Sequence, residues 1–323
     1  MAQISNAFTT SDATSNREAL SDVIANIDPT ATPFMSSIGT ENVDNVTFSY
    51  QNETLGSVSG SGEIEGFEVS RQASIPTTRV SNVCQINSIN VTISGSQEAS
   101  SPAGKSRGEL AHQLALASKR LKRNMETALS QNQGSNAGSS SVARATRSFE
   151  SFIASNVSAG TGGANDSSGT AGRTDGTQRT LTEALFKDVL ETCFTNGAEP
   201  SIAICGAHNK GVISGFTGRA NTRATVDSGT VENSISVYAG DFGTLSIVPS
   251  NRSRDRSVLL VDPEYAKVCF LRNYQTVDLS TIGDATSKLL LAEFGLKMHE
   301  QAHGLIADLS TCLLYTSDAA DDM

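Results

Sequence analysis

Residues 106–133 read SRGELAHQLALASKRLKRNMETALSQNQ, the longest clean helical pattern in the chain. Ser106 followed by Glu109 matches a capping box, in which each side chain closes an open backbone N–H of the first turn. Leu110, Leu114, Leu121, Met125 and Leu129 recur at three-and-four spacing, and Ala117 and Ala128 fill the same stripe. Gly134 is the expected stop. A helix over this whole stretch would run for about 40 Å, long for a globular domain and suited to a strut.

Upstream the period changes to two. Val46, Phe48 and Tyr50 alternate with Thr47, Ser49 and Gln51, and beyond Pro76 alternation returns at Ile89, Val91 and Ile93. Between them lies GSVSGSGEIEGFEVS (56–70), rich in Gly and Ser. These two strands read as one long β-hairpin with a flexible polar tip, with little to bury it inside its own subunit. Glu63, Glu65, Phe67 and Arg71 near the tip are candidate inter-subunit or charged contacts. Farther upstream, residues 1–14 carry no period and read as a loose arm. Ser15 and Glu18 form a second capping box ahead of Leu20, Val23, Ile24 and Ile27, a short amphipathic helix ending at Asp28-Pro29. Thr32-Pro33-Phe34 then starts another turn, closed by Ile38-Gly39.

Downstream, 142–156 is weakly helical or mixed, and the low-complexity segment 158–178 reads as a surface loop. Its glycines fit neither GxGxxG nor a P-loop. Thr180 with Glu183 gives a third capping box, with Leu181, Leu185 and Val189 as the stripe and Gly197 as the end. Strands are expected at 201–205, on both sides of the turn Gly240-Asp241-Phe242-Gly243, at SVLLVD and at AKVCFLR, with a short helix at NKGVISGF. Residues 180–272 thus read as one α/β lobe, apart from a loop at 218–233. Leu290, Ala292, Phe294, Leu296 and Met298 alternate with their neighbours and predict one long closing strand. The tail 312–323 departs abruptly in composition and reads as a non-native appendage.

Composition narrows the function. Hydrophobic residues are 37% and aromatics 5%, with no Trp, which favours thin layers and long loops. A net charge of −10 argues against a general nucleic-acid binder, whose affinity comes from neutralising phosphates. No stretch has the layout of a signal peptide, and apolar runs such as Leu289 to Ala292 are far too short to cross a bilayer. Cys84, Cys193, Cys205, Cys269 and Cys312 are scattered without a CxxC pair, and read as reduced, buried side chains of a cytosolic protein.

His299-Glu300-Gln301-Ala302-His303 matches HExxH, the zinc-peptidase pattern, which needs both His one turn apart on a helix. The residues before it run at period two, and in a strand the two His would stand about 13 Å apart, too far to share one ion. No His or Glu follows to serve as a third ligand. Lys119, Arg120, Lys122 and Arg123 form a basic cluster beside the apolar stripe. It is either a contact for nucleic acid or an acidic partner, or a solvated face paired with nearby carboxylates. His112 and His208 are isolated, and no GxSxG is present. Catalysis has no visible home, and no cofactor is expected.

The order of the pieces resembles a tailed-phage major capsid protein of the Hong Kong 97 type. The resemblance rests on REALSDVIANIDPTATPFMSSIG (17–39), ISGSQEA (93–99), ELAHQLALASKRLKRNMETAL (109–129), DFGTLSIVPSNR (241–252) and GDATSKLLLAEFGLKMHEQAHGLIADL (283–309). It implies an α+β fold with an N-terminal arm (1–45), an extended loop (46–98) and a peripheral domain with the spine helix (99–179). An axial domain (180–258) and a return to the peripheral domain (259–311) complete it. It further implies a structural protein that assembles with copies of itself into hexamers and pentamers of an icosahedral head around double-stranded DNA. That head belongs to the virion and assembles in the host cytoplasm. Scaffolding, portal or decoration proteins are further candidate partners, DNA contact is weak and non-specific, and no membrane is involved. Some proteins of this fold cross-link through Lys and Asn; no residue here supports carrying that over. A zinc peptidase and a tail or DNA-organising protein are the alternative functions.

Overall fold

The computed structural model describes residues 31–53, 60, 62–68, 74–100, 108–166, 168–216, 236–281 and 283–311. The expected helix at 15–28, residues 1–14, Ser106, Arg71, the loop at 218–233, Cys312 and the tail lie outside them. In chain order the elements are α1 (Pro33–Ser37), β1 (Gly39–Asn42), β2 (Thr47–Asn52), β3 (Thr78–Val83), β4 (Gln85–Ser94), α2 (Gly95–Ala99) and α3 (Glu109–Ser130). Then come α4 (Phe149–Phe152), β5 (Val157–Ser158), α5 (Glu183–Thr195), β6 (Ile202–Cys205), α6 (Ala207–Ser214), β7 (Val237–Gly240) and β8 (Gly243–Pro249). β9 (Val258–Val261), β10 (Ala266–Asp278), β11 (Ala285–Met298) and β12 (Gly304–Ile306) close the fold.

β11 runs for 14 residues, including the alternating 290–298, as an inner strand of a four-stranded sheet ordered β1-β10-β11-β4. One face of β11 (Leu290, Ala292, Phe294, Leu296, Met298) packs with Leu121, Met125 and Leu129 of α3 and with Phe34 and Phe149. Each such aliphatic side chain taken out of water contributes roughly 1.5–3 kcal/mol. Gly295, on the other face, lies under the β2–β3 hairpin. A Cβ there would stand 2.6 Å from Cε1 of Phe48 and 3.2 Å from the Val83 carbonyl oxygen. Buried Asn82 fastens the hairpin further: its Nδ2 donates to the Leu296 carbonyl (2.7 Å) and its Oδ1 accepts from the Arg147 N–H (2.8 Å).

The long hairpin differs from expectation. β2 pairs with β3, Thr47 opposite Val83 through Asn52 opposite Thr78. The alternating strand at 89–93 belongs to β4, which pairs with β11 instead, Gln85 opposite Phe294 through Ser94 opposite Ala285. The chain changes sheets at Cys84, whose N–H still bonds to the Val46 carbonyl. Ile89 and Val91 then pack on the α3 core.

α3 covers 109–130, shorter at both ends than 106–133, and spans about 33 Å. Gly108 is its N-cap, at φ +86°, and no capping side chain sits there. The first turn is closed from α2 instead: Glu98 Oε2 accepts the Leu110 N–H at 2.9 Å. A Cβ on residue 108 would meet that carboxylate at 2.5 Å, so glycine serves both the backbone angle and the approach. At the other end Gly134 is not the stop. Ser148 and Ser151 hydroxyls bond to the backbone of Gln133 and draw the chain off the helix.

The second sheet has six strands, ordered β5-β12-β9-β6-β8-β7, with α5 packed on it. Thr182, not Thr180, caps α5, accepting from Leu185 N–H at 3.4 Å. Leu181 just before the cap and Phe186 in the first turns share one core, a hydrophobic staple. This turns Phe186, Val189, Leu190 and Cys193 inward and leaves Leu185 half-buried. The α/β lobe ends at β9: β10, which holds AKVCFLR, crosses to the four-stranded sheet because Ala266, Val268 and Phe270 face the α3 core. Only one short turn, α4, forms within 142–156. Cys84, Cys193, Cys205 and Cys269 are buried free thiols, as expected.

Gly295→Ala is expected to lower the unfolding free energy of the unassembled subunit by about 1–3 kcal/mol through overpacking against Phe48. Urea denaturation reads this as a lower midpoint, and Phe48→Leu in the same background should restore part of it. An unchanged midpoint would contradict the packing.

Candidate assembly surfaces

The HExxH match falls where β11 ends and a single 3-10 turn (Glu300–Ala302) begins. His303 is fully buried. Its Nδ1 accepts the Asp262 N–H at 3.1 Å and its Nε2 lies 3.4 Å from the Tyr265 carbonyl, so backbone groups occupy both ring nitrogens. That arrangement suits the neutral imidazole, and burial pushes its pKa down to about 4. Glu300 Oε1 accepts the N–H groups of Ala154 and Ser155. His299 packs edge-on against Tyr50 and Tyr265. All three motif side chains therefore hold the fold together. Among the described residues no group of three or more His, Cys, Asp or Glu side chains converges on one point.

The basic cluster divides along the helix period. Lys119, Arg120 and Lys122 are exposed and Arg123 is half-buried. Lys122 Nζ sits 5.7 Å from the centroid of the Tyr274 ring, a cation–π contact. His112 and His208 are both half-buried. At the hairpin tip a tight turn, in which the Phe67 N–H bonds to the Ile64 carbonyl, presents Glu63, Glu65 and Phe67 to solvent. Ile64, Phe67 and Ile75 are 78%, 46% and 53% exposed, an apolar surface left uncovered among the described residues.

Sequence reasoning missed a set of buried ionic ties. Arg173, in the segment read as a surface loop, is buried and grips Asp308 with two bonds of 3.0 and 2.5 Å, both side chains being fully excluded from solvent. Asp308 also accepts the N–H groups of Gly160 and Gly176. Burial works against its charge, but Arg173 and those N–H groups outweigh it and hold the carboxyl below the usual range. Glu150 is buried between Ser257 and Arg254, and Arg254 also clasps Asp175. Glu126, inside α3, accepts the N–H groups of Phe34 and Met35 at 2.8 and 2.9 Å and so anchors the start of α1. Burial raises its carboxyl above the usual range. The signal was charged residues set in apolar or glycine-rich context, but sequence alone names no partners.

A long antiparallel strand pair packed against one spine helix, a separate hairpin and a second sheet of six short strands define the major-capsid fold class. The structure resembles a capsid subunit of cyanophage A-1(L), with a TM-score of 0.62 at 11% identity over 94% of this chain and 99% of that one. It also resembles the capsid of a native GTA particle, at 0.63 and 9% over 93% and 98%. The family profile described as SU10 major capsid protein matches residues 4–310, and the chain belongs to that family, one of structural proteins rather than enzymes. A curated relative, the major capsid protein of Escherichia phage Phieco32, is 32% identical over 123 residues. That match takes in 38% of this chain and spans only 35% of the relative's length.

Two outcomes follow from the buried groups. Between pH 6.5 and pH 4 the folded state binds fewer protons at His303 than the unfolded chain does, so stability falls on acidification through that window. The wild type should lose about 3 kcal/mol more across it than His303→Gln, measured by urea denaturation at each pH. Arg173→Leu strands the Asp308 carboxylate and should cost about 3–5 kcal/mol, with Asp308→Asn in that background recovering part.

Proposed function

We propose that this chain is the self-assembling subunit of an icosahedral phage head, forming hexamers and pentamers around double-stranded DNA. The observation that carries the reading is the hairpin end: Ile64, Phe67 and Ile75 are exposed and belong to neither of the two large hydrophobic clusters. A second copy is the natural cover, because burying such groups offsets the entropy of ordering the loop. Within the subunit, 1–45 acts as the arm, 46–98 as the extended loop, and 99–179 with 259–311 as the peripheral domain. Residues 180–258 act as the axial domain near capsomer centres. Two hydrophobic clusters, one around α3 and β11 and one around α5, support two lobes, which meet where β5, β9 and β12 join the second sheet.

Glu63, Glu65, Phe67 and Arg71, with Lys119, Arg120, Lys122 and Arg123, are the proposed inter-subunit or charged contacts. Scaffolding, portal or decoration proteins are further partners of the assembled shell. The net charge of −10 keeps contact with packaged DNA weak and non-specific. Assembly takes place in the host cytoplasm and the product is part of the virion.

Ile64→Asp with Phe67→Asp should abolish particle formation in sedimentation velocity. The melting temperature of the free subunit should stay nearly unchanged, since both side chains are solvent-facing. Particles forming as readily as in the wild type would overturn the reading.

A further inference from the structure

Two shallow depressions of ≈ 390 and ≈ 320 Å³ beside α3 share Lys122 and Tyr274 and so form one groove. Apolar side chains run along its length, Met35 and Phe270 at one end, Tyr274 midway, and Leu121 and Leu290 at the other, interspersed with polar ones such as Thr40, Asn42 and Asn273. On this side β10 loses its strand partner after Phe270, where the pairing with β1 ends. Tyr274 and Val277 are left exposed. Thr32, at the head of α1, lines the same groove, so the chain that precedes it arrives there.

We propose that residues 18–28, EALSDVIANID, seat in this groove of their own chain and lay Leu20, Val23, Ile24 and Ile27 on its floor. These four residues follow the i, i+3, i+4, i+7 spacing of a single helical stripe. Along a helix, Leu20 to Ile27 covers about 10 Å. Along β10, Phe270 to Thr276 covers about 20 Å, so the stripe fits the groove. Ile27 lies five residues before Thr32, which places it at the Met35 end and Leu20 toward Leu290. Charge agrees: the segment carries Glu18, Asp22 and Asp28, and the groove's rim carries Lys122 with Lys119 one turn back along α3. The seat goes beyond the shell reading, because it fixes where the arm leaves its own body before any neighbour is met.

The test uses the full chain with Cys312→Ser, the other four cysteines being buried. Gln275, exposed and lining the groove, becomes Cys together with Val23→Cys in one protein and Asp22→Cys in another. Asp22 falls on the helix side opposite the stripe. Under dilute oxidation the Val23 pair should close within the chain at least tenfold faster than the Asp22 pair. Equal rates, no bond, or bonds formed exclusively between chains would overturn the seat. In a second measurement, Leu20→Asp with Ile24→Asp should speed hydrogen exchange at 273–277 at least tenfold; unchanged exchange counts against it. An intrachain bond in a protein that forms no particles supports the seat while counting against the shell.

Discussion

β11 is buried on both faces, and most of the architecture answers to that. Its apolar face requires α3, and its Gly295 face requires the β2–β3 hairpin, whose Phe48 ring fills the space a side chain would take. One strand therefore sets the register of the central sheet, the height of the spine helix and the root of the hairpin. A strand covered on both sides cannot slip by one residue without exchanging its two environments. The hairpin is rooted in the body by this contact, while residues 62–68 near its tip are exposed.

Outside the hydrophobic cores the chain holds its loops with polar ties. With 37% hydrophobic residues it has little apolar surface for covering its long loops. The stretch 158–178 is held by Asp308, which draws Arg173, Gly160 and Gly176 onto one carboxylate. Asp308 itself adopts φ +59°, a conformation uncommon outside glycine, and its four bonds fix it there. Glu126 does the same for the entry of the chain into α1. Removing one partner of such a tie leaves the other charge buried and unpaired, which is where its energetic weight lies.

Element types were legible in the sequence, and partners were not. Alternation revealed β4 and β11 as strands, but the same alternation suits any neighbour, and β4 pairs with β11 rather than closing the hairpin. The spine helix was plain from its leucines, yet its start depends on Glu98, a side chain from α2 that no local rule connects to it. The period-two run leading into His299 already argued against a helical zinc site. The exposure of Phe67 was suggested by its Gly- and Ser-rich setting. Asp308 and Arg173 gave no sign of meeting, because contacts across 135 residues leave no local trace.

The family to which the chain belongs and the exposure of Ile64 and Phe67 both support the proposal that a second copy completes the hairpin end. Electron microscopy of particles assembled from the purified protein tests this most directly. Closed shells in which residues 53–77 of each copy lie across a neighbouring copy, covering Ile64 and Phe67, are the expected result. Shells in which that segment folds back on its own body, or a protein that remains a compact monomer at every concentration, would contradict it.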